Sequence, residues 1–176
     1  MTAPDCITLL VTAAAAVSDL TRGKVYNWLT YPAVLVGLAW SLTLRTITFP
    51  QSLAGLAAAL LIYGLMHKYG GLGAGDVKLM AAVGAFKGFS FILFSSFYIL
   101  CIGSVLGLFV LAARGKLFPS IKWVFQTISS AAIPGIPRPP EERRTAMPFA
   151  PAIFVAVAYC IYLETTRGEF VINLWA

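Results

Sequence analysis

The chain has 176 residues, of which 59% are hydrophobic and only 11% charged, and its mean hydropathy is +0.83. About a quarter of the residues in a soluble domain are charged, so this composition excludes a water-soluble globular protein. Apolar runs near the roughly 20 residues needed to cross a bilayer recur along the chain, which predicts an integral membrane protein. The formal net charge of +6 is spread over short loops, which is typical of topology signals rather than of nucleic-acid binding.

Six apolar segments predict about six transmembrane helices, so the expected fold is all-α and polytopic. The predicted spans are residues 5–20, 26–44, 50–66, 76–86, 89–113 and 149–165. No Lys or Arg precedes the first segment, which is therefore interpreted as a membrane helix rather than a cleaved signal peptide. Only Lys87-Gly88 separates the fourth span from the fifth.

We expect a single transmembrane domain over residues 1–176, in which residues 114–147 form a cytoplasmic or interfacial loop. The mixed segment 116–132 predicts an amphipathic interfacial helix, and the Pro-rich, charged segment 133–144 predicts extended chain. The three cysteines form no CxxC pair, so the sequence indicates neither a zinc site nor a disulfide framework. They are Cys6, Cys101 and Cys160.

The distribution of Lys and Arg predicts the orientation, because cytoplasmic loops carry an excess of both. With the N-terminus outside, ten basic residues lie on the cytoplasmic side and three lie outside. The ten are Arg22, Lys24, Lys68, Lys78, Arg114, Lys116, Lys122, Arg138, Arg143 and Arg144. The three are Arg45, Lys87 and Arg167. This orientation puts the turn after the first span and the Gly-rich segment before the fourth on the same face.

Two carboxylates, Asp19 and Asp76, lie next to membrane segments on this face. Asp19 is about 21 Å along a helix from Asp5, and Asp76 is about 16 Å from Lys87. If Asp5 and Lys87 mark the outer boundary of a ~30 Å hydrocarbon layer, both aspartates lie in the inner leaflet. Carboxylates at that depth are costly and usually functional. The structural alternatives are that Asp76 caps the following helix and that Asp19 pairs with Arg22.

The segment before Asp76 has the sequence GGLGAG over residues 70–75. Non-helical backbone at membrane depth is tolerated where protein buries it or where it lines a wet cavity. Four glycines in six residues permit positive φ angles and the close approach of another backbone. The sequence therefore predicts a re-entrant Gly-rich loop that delivers Asp76.

The residues around both aspartates resemble the motifs of type IV prepilin peptidases. Residues 73–79, GAGDVKL, resemble the family's GxGDxKL motif. Residues 18–27, SDLTRGKVYN, are similar to its first aspartate motif, with Val25-Tyr26-Asn27 in place of Ile-Pro-Asn. Residues 148–152, PFAPA, resemble the Pro-Phe-x-Pro that opens the family's last helix.

The resemblance implies a GxGD-type aspartic endopeptidase in the inner (cytoplasmic) membrane, with one transmembrane peptidase domain and its active site facing the cytoplasm. Asp19 and Asp76 would form the catalytic pair. The motif or substrate-binding residues would be Gly73, Gly75, Lys78, Arg22, Asn27 and Pro148.

The same resemblance implies the substrates. These would be Flp-type pilins, pseudopilins or archaeal equivalents, each with a basic leader, a Gly before the cut and an apolar helix with an early Glu. The chain lacks the CxxC-bearing insert of the methylating subgroup, so no methyl transfer, cofactor or metal is expected. The expected partners are the prepilin substrate and the lipid bilayer, and not nucleic acid.

Two neighbouring carboxyl groups can divide acid and base roles, because both do not ionise cheaply. One would take a proton from water while the other polarises the scissile carbonyl; the sequence leaves open which does which. Two other classes of protein fit the same aspartates. One is a small proton- or cation-coupled transporter, and the other is a non-catalytic scaffold of a secretion complex. His67 is interpreted as a headgroup-level residue rather than a catalytic one.

Overall fold

The computed structural model describes residues 1–43, 47–68, 72–113, 115, 118 and 149–167. All regular structure in these ranges is helical, which confirms the all-α prediction. The five helices are α1 (Ala3–Arg22), α2 (Asn27–Thr43), α3 (Phe49–Lys68), α4 (Ala74–Ala113) and α5 (Ala150–Arg167). Their ends agree with the predicted spans to within a few residues.

Within the described ranges, three helical segments are long and apolar enough to cross a membrane, namely α1, α3 and Ala74–Val110. The segment Ala150–Thr166 is a shorter apolar helix. Large apolar side chains such as Leu10, Leu61 and Tyr162 are exposed on the helix surfaces, where lipid rather than water would cover them. The chain is therefore a polytopic membrane protein, and six complete spans stay a prediction.

Helix α4 is broken at Gly88, whose backbone has φ 81° and ψ −177°. Glycine adopts this left-handed region readily because it has no Cβ. The break divides α4 into a first part, residues 74–87, and a second part, residues 89–113. It falls at the Lys87-Gly88 boundary that the sequence analysis placed between the fourth and fifth spans.

The chain divides into two compact units. The first comprises Met1–Gly103 with Pro148–Ala176 and contains every interaction discussed below. The second is Ser104–Met147, in which the described residues are the last turns of α4, Gly115 and Phe118. Nearly all of the loop 114–147 lies outside the described residues, so the single-domain organisation and the interfacial helix stay predictions.

Helices α3 and α4 approach backbone to backbone at two glycines. A Cβ on Gly55 would overlap the carbonyl oxygen of Gly84 and the backbone of Gly88, and a Cβ on Gly84 would overlap the carbonyl of Gly55. Small residues at helix contacts are typical of membrane bundles, where association depends on close packing rather than on expulsion of water. This contact fixes the first part of α4 against α3.

Two hydrogen bonds reinforce the same pair of helices on either side of the break. Ser52 Oγ donates to the Ala85 carbonyl over 2.6 Å, and Tyr63 Oη donates to Ser96 Oγ over 2.9 Å. Both bonds are buried. Helix α3 therefore bridges the break in α4.

An ion cluster of the buried Asp5 and Lys87 and the partly exposed Glu164 joins α1, α4 and α5. Lys87 Nζ lies 2.6 Å from Asp5 Oδ1 and 2.6 Å from Glu164 Oε2. The contact with Glu164 is an ion pair only, because the Lys87 ammonium group and Glu164 Oε2 are not aligned for a hydrogen bond. The Thr2 N–H donates to the other oxygen of Asp5 over 2.6 Å. Asp5 and Lys87, each expected at the outer boundary of the membrane, are thus paired with each other.

The glycine contact between α3 and α4 predicts that Gly55→Ala lowers stability. The added methyl group meets backbone that cannot rotate away, so the expected loss is about 1–3 kcal/mol. Gly64→Ala in the same helix is the matched control, because a Cβ there meets nothing within 4 Å. Alanine's higher helix propensity should leave that variant neutral or slightly more stable. Thermal unfolding midpoints in detergent measure the difference, and equal midpoints would contradict the close approach.

Candidate active site

Asp19 lies in the last turn of α1 and only 8% of it is exposed. Its Oδ2 accepts a hydrogen bond of 3.1 Å from the backbone N–H of Ala150. Ala150 is the first residue of α5, so its N–H has no acceptor within its own helix and lies at the positive end of the helix dipole. Asp19 is thus anchored by the beginning of α5. Arg22 does not pair with it and instead donates to Tyr26 Oη over 2.9 Å.

Asp76 is the third residue of α4 and is 6% exposed. The helix begins at Ala74, so Asp76 is not its N-cap, and the Asp76 N–H bonds the carbonyl of Gly73 over 3.1 Å. Its Oδ1 is buried with no hydrogen-bond partner among the described residues. Among the described residues, the other buried side-chain atoms without a hydrogen-bond partner are Trp40 Nε1 and Glu164 Oε2. Glu164 Oε2 still has its ion pair with Lys87. A bare buried carboxyl oxygen is costly, and it marks a position for a proton, a water or a substrate group.

The two aspartates form an acidic pair. Asp19 lies close enough to Asp76 for a charge on one carboxyl group to act on the other. Gly75 helps to bring them together, because a Cβ there would lie 2.8 Å from Val25 Cβ in the turn between α1 and α2. The space beside Gly75 is therefore occupied by the same chain rather than left open for a bound peptide.

The Gly-rich segment is described only from Leu72 onward. Gly73 and Gly75 do not have positive φ; among the described residues that conformation occurs at Gly23, Gly88 and Gly115. Gly70 and Gly71 lie outside the described residues, so the re-entrant loop stays a prediction. His67 Nδ1 lies 2.8 Å from the Leu72 carbonyl oxygen and so contacts this segment rather than the acidic pair.

Lys78 and Asn27, 51 residues apart, meet at the surface near the acidic pair. Lys78 Nζ donates to Asn27 Oδ1 over 2.8 Å and lies 5.0 Å from the centre of the Tyr31 ring. These contacts connect the beginning of α4 to α2 and give the ammonium group a fixed position. Of the other residues taken from the motifs, Pro148 lies outside the described residues, while its neighbour Phe149 packs against Gly103.

Sequence reasoning missed the backbone N–H of Ala150, the contact of Val25 with Gly75, and the ring of Tyr31. A signal existed for Ala150, because the Pro-Phe-x-Pro pattern marks a helix beginning and such ends attract carboxylates. Which carboxylate it meets depends on helix packing. The spacing of residues within a motif does not report that packing.

The described residues contain no cluster of three or more His, Cys, Asp or Glu side chains that could hold a metal ion. The site within them is therefore a pair of buried carboxyl groups at one end of a helical membrane bundle, with one backbone donor and one nearby ammonium group. This arrangement defines the class of protein: it is a membrane protein with a buried acidic pair.

Comparison with known families is consistent with that class. The model of the type IV leader peptidase family matches residues 6–112, more than half of the chain, and the protein belongs to this family. It is therefore a protease of the type IV leader peptidase kind. The match includes Asp19 and Asp76 but ends before α5, which supplies the Ala150 donor. Comparison with curated proteins and with solved structures gives no significant match.

The bond between Ala150 and Asp19 predicts that Ala150→Pro lowers proteolytic activity. Proline is well accepted at the first position of a helix but has no N–H, so only the donor to Asp19 is deleted. A hydrogen bond to a charged group contributes about 1.5–3 kcal/mol, so the rate should fall roughly ten- to a hundred-fold.

Ala150→Val is the matched control, because it adds similar bulk at this buried position and keeps the N–H. Leader cleavage would be measured for both variants at equal protein amounts in detergent. Equal rates for the two would show that the bond to Asp19 contributes nothing to catalysis.

Proposed function

We propose that the protein is an aspartic endopeptidase that removes the leader peptides of type IV prepilin-like proteins, using water activated by Asp19 and Asp76. The observation that carries this proposal is the acidic pair itself. Two buried carboxyl groups lie near each other, one anchored by a backbone donor and one with an unpartnered oxygen. Membership of the leader peptidase family favours proteolysis over a proton or cation relay for this pair.

The different surroundings of the two carboxyl groups support different roles. Asp19 receives the Ala150 N–H from a helix N-terminus, and that environment stabilises a negative charge. Asp76 Oδ1 receives no donor from the described residues, and a buried charged oxygen without a donor is unfavourable. A protonated Asp76 avoids that cost and offers an O–H to a substrate carbonyl. We therefore assign Asp19 as the base and Asp76 as the acid.

The chemical step then requires only water and this pair. Asp19 takes a proton from water while the water oxygen bonds to the scissile carbonyl carbon, and Asp76 gives its proton to the carbonyl oxygen. In the second step Asp19 passes its proton to the amide nitrogen and the C–N bond breaks. The carbonyl forms again and returns a proton to Asp76. The products are a carboxylic acid and an amine, and the pair regains its starting state.

Family membership supports prepilin-type substrates, including Flp-type pilins, pseudopilins and archaeal equivalents. Such a substrate brings a basic leader to the inner surface and an apolar helix into the bilayer beside the site. Lys78, held by Asn27 and Tyr31, offers a fixed positive charge two residues from Asp76. It suits the early Glu of a prepilin. Arg22 lies three residues from Asp19 on the same surface, where it donates to Tyr26 Oη.

We further propose that the chain lies in the inner membrane with its N-terminus outside and its active site facing the cytoplasm. The described basic side chains at the end of the bundle that carries the acidic pair are Arg22, Lys24, Lys68 and Lys78. At the opposite end, Lys87 is paired with two carboxylates, and the other basic residue of the described helices there is Arg167, the last residue of α5. This asymmetry supports a cytoplasmic site by the positive-inside rule.

Replacing either aspartate by asparagine should abolish leader cleavage. Asparagine keeps the size and some hydrogen bonding of aspartate but neither ionises nor donates an acidic proton. Asp19→Asn and Asp76→Asn should insert normally, and their cleavage of a prepilin in detergent should fall by about a thousand-fold or more.

Glu141→Gln, a change of the same kind in the loop 114–147, should cut as fast as the unaltered protein. Chelators and thiol or serine reagents should not inhibit. Substantial cleavage by either aspartate variant would exclude the paired mechanism.

Cysteine labelling tests the orientation. In a background without Cys6, Cys101 and Cys160, single cysteines at Lys24, Lys68 and Arg138 should react with impermeant reagents only after the inner membrane is opened. A cysteine at Thr48, in the turn before α3, should react in intact cells. The reverse pattern would place the active site on the outer face.

A further inference from the structure

The ion cluster of Asp5, Lys87 and Glu164 lies outside the acidic pair, and the chemistry proposed above does not use it. Its three residues come from α1, α4 and α5. The same three helices supply Asp19, Asp76 and the Ala150 N–H at their other ends. Each helix therefore carries one member of the cluster and one member of the candidate active site.

The spacing along each helix is similar. Fourteen residues separate Asp5 from Asp19, and fourteen separate Ala150 from Glu164, so each pair is about 21 Å apart along its helix. Eleven residues, or about 16 Å, separate Asp76 from Lys87 in the first part of α4. Each segment is a continuous helix, so a shift or rotation at the cluster is carried to the active site.

The break at Gly88 makes the anchoring of Lys87 important. Lys87 is the last residue before the left-handed Gly88, so the second part of α4 does not fix the direction of the first part. The first part is held instead by Lys87 at one end, by Lys78 with Asn27 at the other, and by Gly84 against α3 between them. The alignment of Asp76 therefore depends on these contacts together with the Ser52–Ala85 hydrogen bond and the packing of Val25 against Gly75, and among them Lys87 is the ionic contact at the end next to the break.

Burial makes the cluster selective for one alignment. The side chains of Lys87 and Asp5 are 8% and 6% exposed, so little water is available to replace a partner lost by either of them, whereas the Glu164 side chain is 26% exposed. The Lys87 ammonium group can contact both carboxylates at once only when the three helices have one particular axial position and rotation relative to each other. Setting register is the best-attested use of buried charged or polar groups. Contacts between small apolar residues tolerate sliding more easily.

We propose that Asp5, Lys87 and Glu164 are positioning residues that set the register of the three helices bearing the acidic pair and its backbone donor. The proposal rests on the proposed function for its catalytic consequence, but not for its effect on helix alignment. Misplacement of reacting groups by about 1 Å can cost a hundred-fold in rate. Loss of the cluster should therefore lower kcat while leaving KM nearly unchanged.

The main test is a triple variant, Asp5→Asn with Lys87→Met and Glu164→Gln, which removes the cluster without leaving an unpaired buried charge. Its kcat for leader cleavage should fall by about ten-fold or more with KM within about three-fold. Lys87→Arg as a single substitution keeps the charge and should therefore retain most of the rate of the unaltered protein. Lys68→Met, which removes an exposed lysine at the end of α3, should behave like the unaltered protein.

A second measurement reports alignment without reference to cleavage. Nitroxide labels at Leu20 on α1 and Val155 on α5, both exposed, would be placed in the cysteine-free background. Their distance distribution should broaden in the triple variant and stay narrow with Lys87→Arg. If the unaltered protein cuts no prepilin, the proposed function fails, while the distance measurement still decides the role of the cluster.

The overturning result is a correctly inserted triple variant with unaltered kcat and an unaltered distance distribution. If the triple variant does not insert, Glu164→Gln alone decides, because it keeps the buried Asp5–Lys87 pair and releases only α5. That variant should show a smaller loss of kcat and a broader distance between α1 and α5. An unchanged rate and distance would overturn the proposal.

Discussion

The hydrogen bond from the Ala150 N–H to Asp19 connects the beginning of the last helix to the end of the first, across 131 residues of sequence. In water both groups would find other partners, but in a hydrocarbon layer the protein must supply them. The bond therefore serves two purposes. It satisfies an amide that α5 cannot satisfy internally, and it stabilises a carboxylate that would otherwise be costly to bury. It holds the end of α1 against the beginning of α5, while the ion cluster of Asp5, Lys87 and Glu164 joins the other ends of the same helices.

Asp76 approaches Asp19 because glycines, which have no side chain, lie at the contacts between the neighbouring segments. Gly75 lets Val25 pack against the beginning of α4, and Gly84 lets the same part of α4 contact the backbone of α3 at Gly55. Any larger residue would separate the segments and move Asp76 away from Asp19. The close packing of small residues, which normally stabilises membrane bundles, here also holds the beginning of α4 against the turn after α1.

Much of this architecture is predictable from the sequence, because hydrophobic runs determine the helices and charge is rare within them. The six helical segments, the break at Lys87-Gly88 and the position of both aspartates at one end all follow from these patterns. The partners of the charged residues do not follow from them. Asp5, Lys87 and Glu164 are far apart in the sequence, and each lies near the end of a span, so the sequence pattern gives no sign that they meet. Their pairing depends on the rotation of three helices, and hydropathy carries no information about rotation.

Asp5 and Asp76, at opposite ends of the first unit, differ in how completely their carboxyl oxygens are paired. Asp5 has a partner on each oxygen, from the Thr2 N–H and from Lys87. Asp76 keeps one buried oxygen with no partner among the described residues. A fully paired charge resists any change of position or protonation, which suits a structural contact. An unpartnered oxygen gains most when a water or a carbonyl group arrives, which suits a reacting group. The stable end therefore holds the helices in alignment, while the incompletely paired end remains free to bind substrate.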